Sequence, residues 1–216
     1  MKYDNLLIHW LGHAGFKIKD DHNQVIYIDP FQINTDEKAD IIFITHAHYD
    51  HCSIGDMKKI IKPQTIIVCG TDVQSKLGKI GNAINSKIVE PNKEYEVAGI
   101  KCKTIPAYNK NKAFHPQENH WLGYLLTIGE TTIYHAGDTD LIPEMNHLKT
   151  DLALLPVGGT YTMNAKEAAE AVQQIQSQVA IPMHWGSIIG SREDAETFVS
   201  LCKKNNRTAE IIEKEN

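Results

Sequence analysis

Arginine is nearly missing from this sequence, with Arg192 and Arg207 its only two. Bidentate phosphate clamps, which arginine supplies best, are therefore scarce. A formal charge of −5 argues against a general nucleic-acid surface, which would be basic. No segment approaches the roughly 18 apolar residues of a membrane span, so no membrane partner is expected. Residues 1–10 have too short an apolar stretch for a secretory signal and no small-residue cleavage site. Cys52, Cys69, Cys102 and Cys202 are widely spaced and form no CxxC pair, which disfavours a disulfide framework or zinc ribbon. Reduced thiols in a cytoplasmic protein are expected. A Gly-x-Ser-x-Gly elbow is also missing, so a covalent serine nucleophile is poorly supported. No Pro-, Gly- or Ser-rich linker divides the 216 residues, and 1–216 is expected to form one α/β domain.

What stands out is Thr45-His46-Ala47-His48-Tyr49-Asp50-His51, directly after the apolar, β-branched run Ile41-Ile42-Phe43-Ile44. That run reads as a buried strand. Residues at i and i+2 of the following turn can point one way, and those at i+4 and i+5 another. One short loop can therefore supply ligands to two adjacent metal ions.

Strands are expected over 6–11, 16–19 and 25–28, with the Asp29-Pro30 pair closing the third. Ser53-x-x-Asp56 resembles a helix start. A strand over 65–69, a helix over 71–77 and antiparallel strands at 88–89, 94–97 and 99–105 follow. Residues 106–120 are polar, lack either periodicity and have the length of a connection that covers an active site. A hairpin turns at Gly129-Glu130, and a buried strand spans 151–156. Asn164-x-x-Glu167 caps a helix expected to run to about Ser177. A last strand covers 179–182, a helix covers 192–204, and the charged tail is expected to fray. This order suits two sheets packed together with helices outside, a four-layer arrangement.

Two more potential ligands stand just past apolar strands: Asp138 after 131–134 and His184 after 179–182. Ligands held at strand ends are stiff, as preorganised chemistry requires. Alone, Asp138 would read as a turn former and His184 as a core histidine beside Trp185; beside the histidine loop, both read as ligands. His46 and His48 would hold one ion, Asp50, His51 and His184 the other, with Asp138 bridging. His13, in Gly12-His13-Ala14-Gly15, either faces the site or hydrogen-bonds within a turn.

His46-x-His48-x-Asp50-His51 resembles the signature of the metallo-β-lactamase superfamily. Gly12-His13-Ala14, Tyr134-His135-Ala136-Gly137-Asp138-Thr139, Asp151-Leu152-Ala153-Leu154-Leu155-Pro156-Val157-Gly158-Gly159 and Ile181-Pro182-Met183-His184 are similar to further stretches of that family. Together they resemble its small metal-dependent hydrolases related to the ascorbate-phosphate lactonases and, more distantly, to the phospholipase D that releases N-acylethanolamines. The resemblance implies an αββα sandwich with a binuclear, usually zinc, site at one edge of the two sheets. One departure matters. The family's first site takes a third histidine in an Ala-x-His position, and here Ala107 is followed by Tyr108 and Asn109. His115, reached if the loop folds back, is the expected replacement; His120 and an incomplete first site are the alternatives.

Two divalent ions roughly 3.5–4 Å apart lower the pKa of a shared water towards 7 and let it attack a carbonyl or phosphoryl centre. Asp50 and Asp138 are the expected catalytic carboxylates, Asp50 orienting the attacking hydroxide and taking its proton. His13, Tyr108, Asn109, Thr160 and Tyr161 are candidate substrate contacts. Mixed His/carboxylate ligation suits zinc best, with manganese or iron also compatible. The expected function is hydrolysis of a small-molecule lactone, ester, amide or phosphoester. A phosphodiesterase or nuclease-type hydrolase acting on nucleotides or nucleic acid and a ligand-binding regulator with a degraded first site are the alternatives. Nothing in the sequence sets the oligomeric state.

Overall fold

The computed structural model describes residues 1–81 and 84–215. Its packing divides the chain into two compact units, Met1–Glu90 with the C-terminal residues from Ile212, and Pro91–Ile211.

Unit 1 is a seven-stranded sheet in sequence order: β1 (Lys2–Tyr3), β2 (Leu6–Gly12), β3 (Gly15–Lys19), β4 (Val25–Ile28), β5 (Ile41–Ile44), β6 (Ile66–Cys69) and β7 (Asn85–Ile88). The first four strands pair antiparallel, and β4 to β7 pair in parallel. Helices α1 (Ile54–Ile60) and α2 (Thr71–Leu77) make the crossovers around β6. Residues on both faces of β4 and β5 are buried, as their unbroken apolar runs require. On one face Tyr27, Ile42, Ile44, Ile67 and Cys69 form a core with Met57 and Ile60 of α1 and Val73 and Leu77 of α2. Each such aliphatic side chain contributes about 1.5–3 kcal/mol by leaving water. Ser53 caps α1 by accepting the Asp56 N–H.

Strand direction decides where chemistry can gather. Because β2 is antiparallel to β3 and β3 to β4, β2, β4 and β5 all point the same way. His13, Asp29 and the histidine loop therefore all follow strand ends at one edge of this sheet.

Unit 2 holds β8 (Glu94–Val97), β9 (Ile100–Pro106), β10 (Leu122–Ile128), β11 (Thr131–His135), β12 (Lys149–Pro156), α3 (Ala165–Gln174), β13 (Gln176–Met183) and α4 (Arg192–Lys204). Its sheet order is β13-β12-β11-β10-β9-β8, antiparallel from β8 to β11 and parallel from β11 to β13. By the same reasoning β9, β11, β12 and β13 share one direction. The 107–121 connection, Asp138, Gly158 and His184 all lie past the carboxyl edge of this sheet.

Three expectations need correction. Helix α3 ends at Gln174 rather than Ser177: Ile175 turns extended, and Gln176 and Ser177 pair with Lys149 and Thr150. The strand expected at 88–89 is β7, which ends at Ile88 and pairs in parallel with β6. The described C-terminal residues, through Glu215, are not frayed. Lys214 bridges Trp10, and the Glu215 carboxylate receives the buried Lys17 ammonium at 2.8 Å.

Candidate functional site

Unit 1 gathers four histidines and two carboxylates at its sheet edge. The donor atoms of His13, Asp50 and His51 lie within 4.8 Å of one another, as do those of His46 and His48, and of His46 and His51. Behind them stands Asp29, fully buried and held at φ 44. One of its oxygens accepts the Thr45 N–H at 2.8 Å; the other accepts the Thr45 hydroxyl at 2.6 Å and His51 Nδ1 at 2.7 Å. A carboxylate only accepts, so His51 carries its proton on Nδ1 and presents Nε2 as a lone-pair donor. Having given its proton to Asp29, the Thr45 hydroxyl can only accept from His46 Nδ1, 3.0 Å away. His46 is thereby fixed in the same tautomer. These are assignments from the network of partners.

The loop backbone is held from α2. Asp72 accepts the Ala47 N–H at 2.8 Å, and the Lys76 ammonium donates to the Ala47 carbonyl. Asp72 and Lys76 are one helical turn apart, so a single helix face sets the residue between His46 and His48. His13, at φ 51, places Nε2 3.0 Å from Asp50 Oδ2. Cys52 follows the loop but is buried, and burial pushes its thiol up to about 11. Burial thus disfavours its thiolate.

Unit 2 brings His115, Asp138 and His184 together. His115 Nε2 and His184 Nε2 lie 3.2 and 3.1 Å from the same oxygen, Asp138 Oδ2. All three side chains are buried. His115 Nδ1 lies 3.1 Å from both the Tyr161 carbonyl and Asn109 Oδ1, which can only accept, so Nε2 again carries the lone pair. His184 sits at φ 60 just past β13. Gly158 passes so close that a Cβ there would lie 2.5 Å from the His184 carbonyl oxygen.

The 107–120 segment folds back through Asp140, two residues beyond Asp138. Its carboxylate accepts from Asn109 Nδ2 at 3.0 Å, from the Lys110 N–H at 2.9 Å and from the Lys112 ammonium. Asn109 also exchanges backbone and side-chain bonds with His115. Asp140 is thus a buried hub that carries His115 to Asp138, a role that Asp-x-Asp spacing alone does not announce. Asp29 was likewise legible in sequence only as a strand-ending turn.

The other candidates are placed as follows. The Tyr108 hydroxyl donates to Glu144 at 3.1 Å, and burial first, then Glu144, raises its pKa. Tyr161 stacks edge-on against Phe114, and Thr160 is exposed. His120 is exposed at the left-handed end of the short helix Gln117–Asn119.

The donors suit a divalent transition metal. A lone pair on His115 Nε2 facing a carboxylate oxygen needs a shared cation or proton. Zinc ligands at about 2.0–2.2 Å in tetrahedral geometry stand roughly 3.3 Å apart, close to the 3.1 and 3.2 Å seen around Asp138 Oδ2.

A model of the beta-lactamase superfamily domain matches residues 7–184. The UPF0173 metal-dependent hydrolase of Methanopyrus kandleri is 32% identical over 221 residues, covering 95% of both chains. The chain belongs to the beta-lactamase superfamily. Within it, this chain is similar to a solved protein from Parabacteroides distasonis, a proposed metal-dependent hydrolase. The TM-score is 0.85 at 30% identity, covering 97% of this chain and 94% of that one. The metallo hydrolase Igni18 of Ignicoccus hospitalis, 23% identical, shares the fold with a TM-score of 0.79 over 97% and 95% of the two chains. The fold is therefore the metallo-β-lactamase fold, of the α/β class. No helix among the described residues of this superfamily member is long and apolar enough to cross a membrane.

Proposed function

We propose that this member of a metal-dependent hydrolase family holds two divalent ions, zinc before manganese or iron, and hydrolyses a carbonyl or phosphoryl centre of a small substrate. Its two units serve one domain, 1–216. The observation that carries the reading is the shared tautomer: His46, His51 and His115 each have Nδ1 tied to an acceptor, leaving Nε2 to ligate. His46, His48 and His115 would hold one ion, Asp50, His51 and His184 the other, with Asp138 shared. His115 takes the place of the histidine missing after Ala107, and kinship with the lactonase branch concerns this scaffold.

Divalent ions in such a site activate water and polarise the substrate oxygen. The chain's own groups do the rest. Asp50 accepts and hands on the proton, with His13 orienting its Oδ2. Asn109 becomes a positioning residue for His115, and Tyr108 supports Glu144. Thr160 and the ring of Tyr161 are then the better-placed substrate contacts.

The test is a screen of esters, lactones, amides and phosphoesters with zinc- or manganese-loaded protein, with Asp138→Ala alongside. Turnover in wild type that Asp138→Ala abolishes supports the proposal. Equal inactivity of both on every substrate, with one ligand bound tightly, would make the protein a binding module.

A further inference from the structure

Four large hydrophobic side chains stand exposed among the described residues: Leu7, Tyr49, Phe114 and Ile188, at 45%, 65%, 49% and 38%. Three of them lie on loops that carry candidate ligands. Tyr49 sits between His48 and Asp50, Phe114 precedes His115, and Ile188 is four residues past His184. One exposed apolar residue needs no explanation. Three concentrated on the ligand loops do, because exposed apolar surface beside a polar site marks where an apolar partner binds.

In unit 2 the rings of Phe114 and Tyr161 meet edge-on, with centroids 4.6 Å apart and planes at 86°. The Tyr161 carbonyl accepts from His115 Nδ1, so this aromatic pair rides on the backbone that aims the ligand. Ile188 lies inside a short loop closed by the Gly186 N–H donating to the Gly190 carbonyl at 3.2 Å. His115 and His184 reach the same oxygen of Asp138, so the loops that carry Phe114 and Ile188 supply histidines to one carboxylate. In unit 1, by itself, Tyr49 packs edge-on against Phe31, whose ring meets His13 in turn.

Several cations of these regions are engaged elsewhere, although Lys110 on the same loop as Phe114 is exposed. Lys112 pairs with Asp140 and the Thr162 carbonyl, and Lys76 with the Ala47 carbonyl. Arg192 pairs with Glu196, and Arg207 donates to the Gln173 carbonyl. An apolar group would cover surface that water now wets.

We propose that the substrate carries an apolar acyl chain or aryl group, with Phe114 and Ile188 as its apolar contacts beside the hydrolytic centre. This rests on the metallohydrolase reading and narrows its substrate class.

The experiment is calorimetric binding of a homologous series, acetohydroxamate to octanohydroxamate, to zinc-loaded full-length protein. The hydroxamate head chelates metal whatever the natural substrate, and the tail reports the apolar contact. A fully buried methylene is worth about fourfold in affinity, so Kd should fall at least about tenfold along the series. Phe114→Ser and Ile188→Ser should each flatten that dependence while zinc stoichiometry and the melting temperature stay at wild-type values. A Kd independent of chain length in zinc-loaded wild type overturns the proposal, as does an undiminished dependence in both variants. Wild type that takes up no zinc and binds no acetohydroxamate instead overturns the metallohydrolase reading, and this inference with it.

Discussion

Asp29 Oδ2 lies 2.7 Å from His51 Nδ1, with both side chains fully buried. The contact fixes which nitrogen of His51 faces the sheet edge, and it is made at the first residue after β4. Asp29→Asn keeps the shape but turns an acceptor-only group into one that also donates. If its amide nitrogen faces Nδ1, the favoured tautomer is lost. Zinc affinity, read by competition with a chelator, is expected to fall about 10–100-fold.

The Asp140 hub makes a second, separable prediction. Asp140→Ala removes the acceptor shared by Asn109, Lys110 and Lys112. Hydrogen exchange over 107–120 should quicken, and metal affinity should drop by a similar 10–100-fold. Asp140→Asn retains part of the network and should lie between Ala and wild type.

Acid stability should depend on Asp56. Burial opposes its ionisation, but the Lys59 ammonium, the Ser53 hydroxyl and the Gln32 N–H outweigh that and hold it below its ordinary value of 3.8. A depressed folded pKa gives stability that is present above the ordinary value and lost as pH falls through the folded one. Asp56→Asn should lower unfolding free energy at neutral pH by about 1 kcal/mol. It should also make the denaturation midpoint less pH-dependent below about pH 4.

Thiol chemistry should be slow. All four cysteines are free and buried, and burial pushes Cys52 and Cys202 up to about 11 and Cys69 to about 12. Ellman's reagent at pH 8 should release few equivalents from native protein and four after denaturation. Rapid titration of Cys52 in the native state would contradict the packing of the histidine loop.

Much of the fold was legible because local signals agreed with tertiary needs. Helices 71–77 and 192–204 appear with the expected bounds, each marked by periodicity and flanking turns. The α3 end was not, because Gln176 and Ser177 read as helix continuation until β12 claims them as strand partners. The histidine loop, Asp138 and His184 announce themselves by residue type after a strand. Asp29 and Asp140 do not, since their work depends on partners that are distant in sequence. Asn109 looked like a substrate contact for the same reason: its ties to His115, Asp140 and Tyr161 exist only once the loop has folded back.

As a ligand, His115 would complete a two-ion centre in place of the histidine missing after Ala107. Metal content by mass spectrometry of wild type and His115→Ala, each purified with zinc and desalted, tests it most directly. Two equivalents are expected in wild type and about one in the variant, at an unchanged melting temperature of the metal-free proteins. An unchanged stoichiometry of two in His115→Ala would rule out that ligand role for His115.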